Sequence, residues 1–156
     1  MACRFEKLAP ADLPLMRELI HLFAEAFGDP VSYLGAVPSD EYLQSLLGRP
    51  TFIVVVALDE GRVVGGLAAY VLQKFEQERS EIYIYDLAVA EAHRRRGVAT
   101  GLIRTLQELA RGMDAWVIYV QADTVDEPAV KLYESLGVKE DVFHFDIAVR
   151  SAPHVK

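Results

Sequence analysis

Ile82-Tyr83-Ile84-Tyr85-Asp86-Leu87-Ala88-Val89 leads through Ala90 into Glu91-Ala92-His93-Arg94-Arg95-Arg96-Gly97-Val98-Ala99-Thr100. The first eight residues form an apolar, β-branched and aromatic run, which predicts a buried strand. One carboxylate, Asp86, interrupts it. Simple alternation puts Ile82, Ile84, Asp86 and Ala88 on one face, with Glu81, Tyr83, Tyr85, Leu87 and Val89 on the other. A carboxylate in so apolar a strand is costly to bury unless it is paired or used. The second part is a basic turn that opens a helix. Gly97 lets the backbone turn tightly, and small Ala99 leaves the first helical turn open to a ligand. Unbonded N–H groups there, aided by the helix dipole, suit a pyrophosphate. The lysine of a P-loop and the spacing of a dinucleotide fingerprint are both missing.

Working outward, Cys3–Lys7 reads as a first strand. A helix follows from the Pro10-Ala-Asp-Leu-Pro14 segment, with Asp12 as its expected cap and Gly28 as its stop. Leu13, Met16, Ile20, Phe23 and Phe27 recur at helical spacing. Residues 29–38 read as a loop, and Ser39 caps a helix reaching Leu47. Thr51–Leu58 is a buried strand, Asp59-Glu-Gly-Arg62 a hairpin turn, and Val63–Leu72 the returning strand. Gln73–Ser80 is a link to the strand Glu81–Val89. Beyond the arginines, Val98, Leu102, Leu106 and Leu109 mark a helical stripe. Trp116–Ala122 reads as a strand, Pro128–Leu136 as a helix stopped by Gly137, and Val142–Val149 as a closing strand. This order predicts a mixed α/β sheet, mostly antiparallel, with helices on both faces and residues 1–156 forming one domain.

Composition restricts the function. With 52% hydrophobic and 25% charged residues in 156, the chain is expected to be globular. No apolar run approaches the ~20 residues of a membrane span. The start lacks the apolar core of a signal peptide, and Cys3 has no second cysteine to pair with, so a reducing cytoplasm is expected. A net charge of −7 disfavours nucleic acid and suits a cationic small molecule. Arg94, Arg95 and Arg96 concentrate positive charge, whereas Asp123, Asp126, Glu127, Glu140, Asp141 and Asp146 make the C-terminal third acidic. Asp123, Asp126, Glu127 and Asp146 join Asp86 as candidate substrate-binding carboxylates. No histidine or cysteine spacing suggests a metal site. Tyr83, Tyr85 and Tyr119 read as sheet packing.

A second motif adds specificity. Arg94-Arg-Arg-Gly97-Val-Ala99 fits Arg/Gln-x-x-Gly-x-Gly/Ala, and Asp126-Glu-Pro-Ala129-Val-Lys-Leu132-Tyr133-Glu-Ser-Leu-Gly137-Val138 follows after one helix and one strand. The pair, in this order and at this separation, resembles the two signatures of the GNAT N-acetyltransferases. Asp126 stands where that family usually has asparagine, and Val138 where it has phenylalanine. The resemblance implies a strand pair that splays to admit acetyl-CoA. It assigns the cofactor to Leu87, Ala88 and Val89 and to the turn Arg94, Arg95, Arg96, Gly97, Val98, Ala99 and Thr100. Tyr133 would protonate the departing thiolate.

Phe75-Glu-Gln77, Arg79–Val89, Tyr119-Val-Gln-Ala-Asp123 and His144-Phe-Asp-Ile147 resemble more narrowly the gentamicin-type aminoglycoside 3-N-acetyltransferases, as do Phe27-Gly-Asp29 and Leu67–Leu72. This implies acetylation of the 3-amino group of the 2-deoxystreptamine ring by direct attack of the amine on the thioester. It also implies antibiotic resistance as the outcome and a homodimer as the assembly. Asp86 and Tyr133 are the catalytic candidates. Two other readings stay open: a GNAT enzyme for another amine, such as a polyamine or a protein amino group, and a non-catalytic CoA-binding module.

Overall fold

Asp59–Arg62 makes the tight turn its composition prescribes, with positive φ at Glu60 (49°) and Gly61 (79°). It joins β2 (Phe52–Asp59) to β3 (Arg62–Gln73). A computed structural model describes residues 2–150 of the chain. These divide into two compact units, Met1–Gln121 and Ala122–Lys156.

The first unit is built on a five-stranded sheet in the order β1-β2-β3-β4-β5. Strand β1 spans Arg4–Lys7, β4 Ser80–Val89 and β5 Ala115–Val120. All neighbours are antiparallel except β4 and β5, which run parallel. A parallel pair needs a crossover, and α4 (Val98–Arg111) supplies it. Helices α1 (Leu13–Ala26) and α3 (Asp40–Leu47) cover one face of the sheet. There Met16, Leu19 and Phe23 meet Val54, Val56, Ala68 and Ala88. Helix α4 covers the other face with a separate stripe, Val98, Leu102, Leu106 and Ala110. Leu102 and Leu106 are fully buried, so truncating either to alanine should cost about 2–5 kcal/mol. The mixed sheet with helices on both faces is as the sequence predicts.

Side by side on β3, Gly65 and Gly66 let the two layers come close. A Cβ at Gly66 would lie 2.4 Å from Leu19 of α1, and one at Gly65 would lie 3.1 Å from Val98 of α4. Ser39 caps α3 by accepting from Tyr42 N–H at 3.2 Å, as expected.

Three expectations are corrected. Asp12 does not cap α1 through its side chain; its carboxylate accepts from Ala9 N–H at 2.8 Å, stabilising the 3-10 turn Pro10–Asp12 instead. Residues 29–38 are not all loop. Pro30–Leu34 forms a short helix, α2, whose start is capped by Asp29 accepting from Ser32 N–H at 3.1 Å. The closing strand Val142–Val149 is not formed: residues 138–148 have no regular structure. The second unit contains α5 (Glu127–Leu136) and, among its described residues, no strand that could pair with this segment. Strand propensity without a ladder partner does not make a strand.

Candidate active site

The site begins with a fault in β4. Ala68 pairs with Asp86, but its neighbour Ala69 pairs with Ile84, leaving Tyr85 as an extra residue in the ladder. This is a β-bulge, and it overturns the predicted alternation. Adjacent residues Ala68 and Ala69 point to opposite faces, so Asp86 and Ile84 do as well. Ile84 packs on the α4 side. Asp86 joins Ala68 and Ala88 on the face covered by α1. Tyr85 joins Tyr83 on that same face, with ring centroids 5.9 Å apart.

Asp86 is half-buried, and helix α2 brings it a partner. The Tyr33 hydroxyl donates to Asp86 Oδ2 at 2.8 Å. Phe23 and Phe27 hold the Tyr33 ring, at centroid distances of 6.0 and 5.7 Å. Burial, then the hydrogen bond to Asp86 and the charges around it, push the Tyr33 hydroxyl far above the usual tyrosine range. It is therefore a fixed neutral donor. Sequence reading missed Tyr33 because its partner lies 53 residues away. The available signal was Asp29-Pro30, a cap followed by a favoured first-turn proline.

Close to Asp86 the sheet opens. The β4–β5 ladder ends at Ile84↔Val120, whereas β4 continues to pair with β3 through Val89. Leu87–Val89 thus lie on a strand segment that β5 no longer covers. The chain then turns through Arg94–Gly97 into α4. Arg95 and Gly97 have φ of 61° and 76°, a winding that turns successive N–H groups inward. Arg94 Nε donates to the Val89 carbonyl at 3.1 Å, fastening the turn to the strand end. His93 Nε2 lies 3.1 Å from Asp59 Oδ2, so this histidine anchors the turn to the β2 end. No side chain caps the start of α4, and a Cβ built on Gly97 meets nothing within 4 Å. A cavity of about 260 Å³ lies here, lined by Cys3, Phe5, Arg96, Gly97 and Val98. Open backbone donors, a helix dipole and arginine suit a pyrophosphate.

The second unit holds the remaining candidates. Asp126 caps α5, its Oδ1 accepting from Ala129 N–H at 3.3 Å. Tyr133, two turns later, is half-buried, and burial followed by the charge of Asp126 pushes its hydroxyl up to about 12. Asp123 and Glu127 are exposed. Asp146 Oδ1 lies 2.9 Å from His144 Nε2 on the irregular segment. The first unit therefore gathers Asp86, Leu87–Val89 and Arg94–Thr100 along one strand, turn and helix. The second holds Asp123, Asp126, Glu127, Tyr133 and Asp146. Among the described residues, no group of three or more His, Cys, Asp or Glu side chains forms a metal site, and no helix is long and apolar enough to cross a membrane.

The Acetyltransferase (GNAT) family model matches residues 15–138, a span that crosses both units. The chain belongs to the GNAT acetyltransferase family. Enzymes of this family use acetyl-CoA. The fold is similar to that of an aminoglycoside acetyltransferase from an uncultured soil metagenomic sample: 55% identical, TM-score 0.94, covering 96% of this chain and 100% of that one. A second soil metagenomic aminoglycoside acetyltransferase, crystallised with sisomicin, is 36% identical with TM-score 0.88, over 95% and 97% of the two chains. Human N-acetyltransferase 8 is 31% identical over 85 residues, which span 54% of this GNAT chain and 37% of that protein.

Gly97 offers a test of whether this turn holds the cofactor. Left-handed backbone is costly for a β-branched residue, by about 1–2 kcal/mol, so Gly97→Val should distort the turn without a clash. The expected result is acetyl-CoA binding weakened about tenfold by calorimetry. Unaltered affinity would move the phosphate site elsewhere.

Proposed function

We propose that this enzyme transfers the acetyl group of acetyl-CoA to the 3-amino group of the 2-deoxystreptamine ring of gentamicin-type aminoglycosides, inactivating them. We further propose that the two units act as one acetyltransferase domain and that the protein is a cytoplasmic homodimer. The observation that carries the reading is the carboxylate of Asp86, oriented by Tyr33 on the strand that borders the open end of the β4–β5 pair. Similarity to two aminoglycoside acetyltransferases supports the acceptor class. The regiochemistry rests on the sequence resemblance alone.

Acetyl-CoA supplies an activated thioester; the protein supplies position and charge. Arg94–Thr100 hold the pyrophosphate, and the strand N–H groups of Leu87–Val89 align the acyl arm and polarise its carbonyl. An acceptor ammonium is mostly protonated at neutral pH, given an amine near the lysine value of ~10.4. Asp86 binds it and takes its proton, leaving a neutral amine to attack. Asp123, Asp126, Glu127 and Asp146 add negative charge for the acceptor's other ammonium groups. Tyr133, with its raised pKa, is a weaker acid than an ordinary phenol and weaker than a thiol of ~8.5. Its part in this reading is to donate a hydrogen bond to the departing sulfur, while the second proton, shed by the attacking nitrogen as the C–S bond breaks, ends on that sulfur as the CoA thiol.

A thiol-release assay across aminoglycosides and polyamines, followed by NMR of the product, tests the reading. Gentamicin-type turnover with acetyl at N3 is expected. Turnover only with polyamines, or CoA binding with no turnover of any amine, would overturn it. Tyr33 has its own test. Tyr33→Phe keeps the ring among Phe23 and Phe27 and removes only the donor. The expected result is kcat lowered about tenfold or somewhat more, the low end for loss of one hydrogen bond to a charged group, at unchanged acetyl-CoA KM.

A further inference from the structure

The turn that opens α4 is held in a shape that a free chain would not keep. Arg95, with φ of 61°, is a non-glycine residue in left-handed backbone, and Gly97 follows it at 76°. Such backbone persists only where the surroundings hold it. Separate bonds fasten the approach to the turn. Ala90 N–H donates to the Val64 carbonyl of β3 at 2.8 Å, and Arg94 Nε donates to the Val89 carbonyl of β4 at 3.1 Å. A further bond reaches β2: His93 Nε2 lies 3.1 Å from Asp59 Oδ2, across 34 residues of sequence. Asp59 is itself a firm post. It opens the tight Asp59–Arg62 turn opposite Arg62, whose Nε donates to Glu18 of α1 at 2.8 Å.

A carboxylate only accepts, so Nε2 carries the proton of this bond whichever charge the ring has. The other ring nitrogen, Nδ1, is buried and meets no hydrogen-bond partner among the described residues. A buried polar atom left this way costs stability. A phenyl ring would fill the same space without stranding a polar atom, so what histidine adds there is the Asp59 bond. Both side chains are largely shielded from solvent, where salt weakens such a bond less than at an open surface. We propose that His93 is a positioning residue for acetyl-CoA: by holding Nε2–H on Asp59, it keeps the Arg94–Gly97 turn preformed, with its N–H groups set for the pyrophosphate before the cofactor arrives. The inference rests on the reading of that turn as the pyrophosphate site. It deepens that reading by naming a residue, outside the turn's own arginines and amides, that sets the affinity through preorganisation.

The test uses the full chain, with acetyl-CoA affinity measured by calorimetry and with KM and kcat measured by thiol release. The side-chain amide of glutamine puts an N–H about where histidine carries Nε2, whereas asparagine is too short. His93→Asn and Asp59→Ala should each weaken acetyl-CoA binding about tenfold, as if the competent turn were populated about one-tenth of the time. Both kcat at saturating acetyl-CoA and the acceptor KM should stay within about twofold of wild type. His93→Gln should return affinity to within about threefold of wild type. The double variant His93→Asn/Asp59→Ala should bind no more weakly than the poorer single variant, because the two changes remove one bond. Asp59→Ala removes only the acceptor and carries the test if His93→Asn fails to fold. Unmoved affinity in Asp59→Ala would overturn the inference. So would a His93→Gln variant as weak as His93→Asn, which would assign the effect to ring packing. A fall in kcat or a rise in acceptor KM matching the loss of acetyl-CoA affinity would mark a general loss of structure and overturn it as well. If Gly97→Val leaves affinity unaltered, the pyrophosphate reading of the turn fails and takes this inference with it. If Gly97→Val weakens binding and Asp59→Ala does not, only the role of His93 falls.

Discussion

Asp86→Asn should lower kcat about 10²–10³-fold, the usual worth of a positioned base, while acetyl-CoA affinity stays within about twofold of wild type. Asparagine keeps the shape and can still accept from the Tyr33 hydroxyl, so the aromatic support of α2 persists. What disappears is the charge and the proton acceptor. The two jobs separate by kinetics: an anchor lost alone raises aminoglycoside KM, whereas a base lost alone lowers kcat. They also separate by pH. If Asp86 takes the proton, the deficit should shrink as pH rises toward the amine's own value near ~10.4, because solvent then supplies free amine. A deficit constant across pH would leave Asp86 only as an anchor. Wild-type turnover in the variant would remove it from the mechanism.

Tyr133→Phe should slow thiol release about 10²-fold, the scale of losing one donor to a developing negative charge, again without weakening acetyl-CoA binding. The wild-type donor is held neutral, since burial and Asp126 push it up to about 12. Its contribution is present throughout the neutral and mildly alkaline range and is lost only as pH rises through that value. The wild-type profile should therefore show no tyrosine-dependent fall below about pH 11. A variant matching wild type at every pH would reduce Tyr133 to packing on α5.

Much of this was legible because local chemistry and tertiary structure agree. The Asp59–Arg62 turn needs positive φ, and Gly61 supplies it; β2 is a run of Val and Ile buried on both faces, and reads as one. The stripe on α4 likewise predicts its own burial. What failed was period-two counting through β4. A bulge is stabilised by the neighbouring strand, not by the strand that contains it, so Tyr85 looked like any other alternating residue. Helix α2 escaped notice because five residues are too few to show a helical period. The reverse error occurred at Val142–Val149, where β-branched and aromatic residues suggested a strand that has no ladder to join. Asp86 could be picked out from sequence as an expensive charge. Its face and its donor could not, since both depend on residues far along the chain.

The bulge also has a mechanical meaning. On an unbroken strand, the nearest neighbours that point the same way are two residues apart, about 6.6–6.8 Å along the chain. Here Tyr85 and Asp86 point the same way across a single peptide, with Cα atoms about 3.8 Å apart. The side-chain torsions of each residue stay free, but the single trans peptide fixes the spacing of their attachment points. A one-residue slip of β4 against β3 would therefore move ring and carboxylate together rather than send them to opposite faces of the sheet.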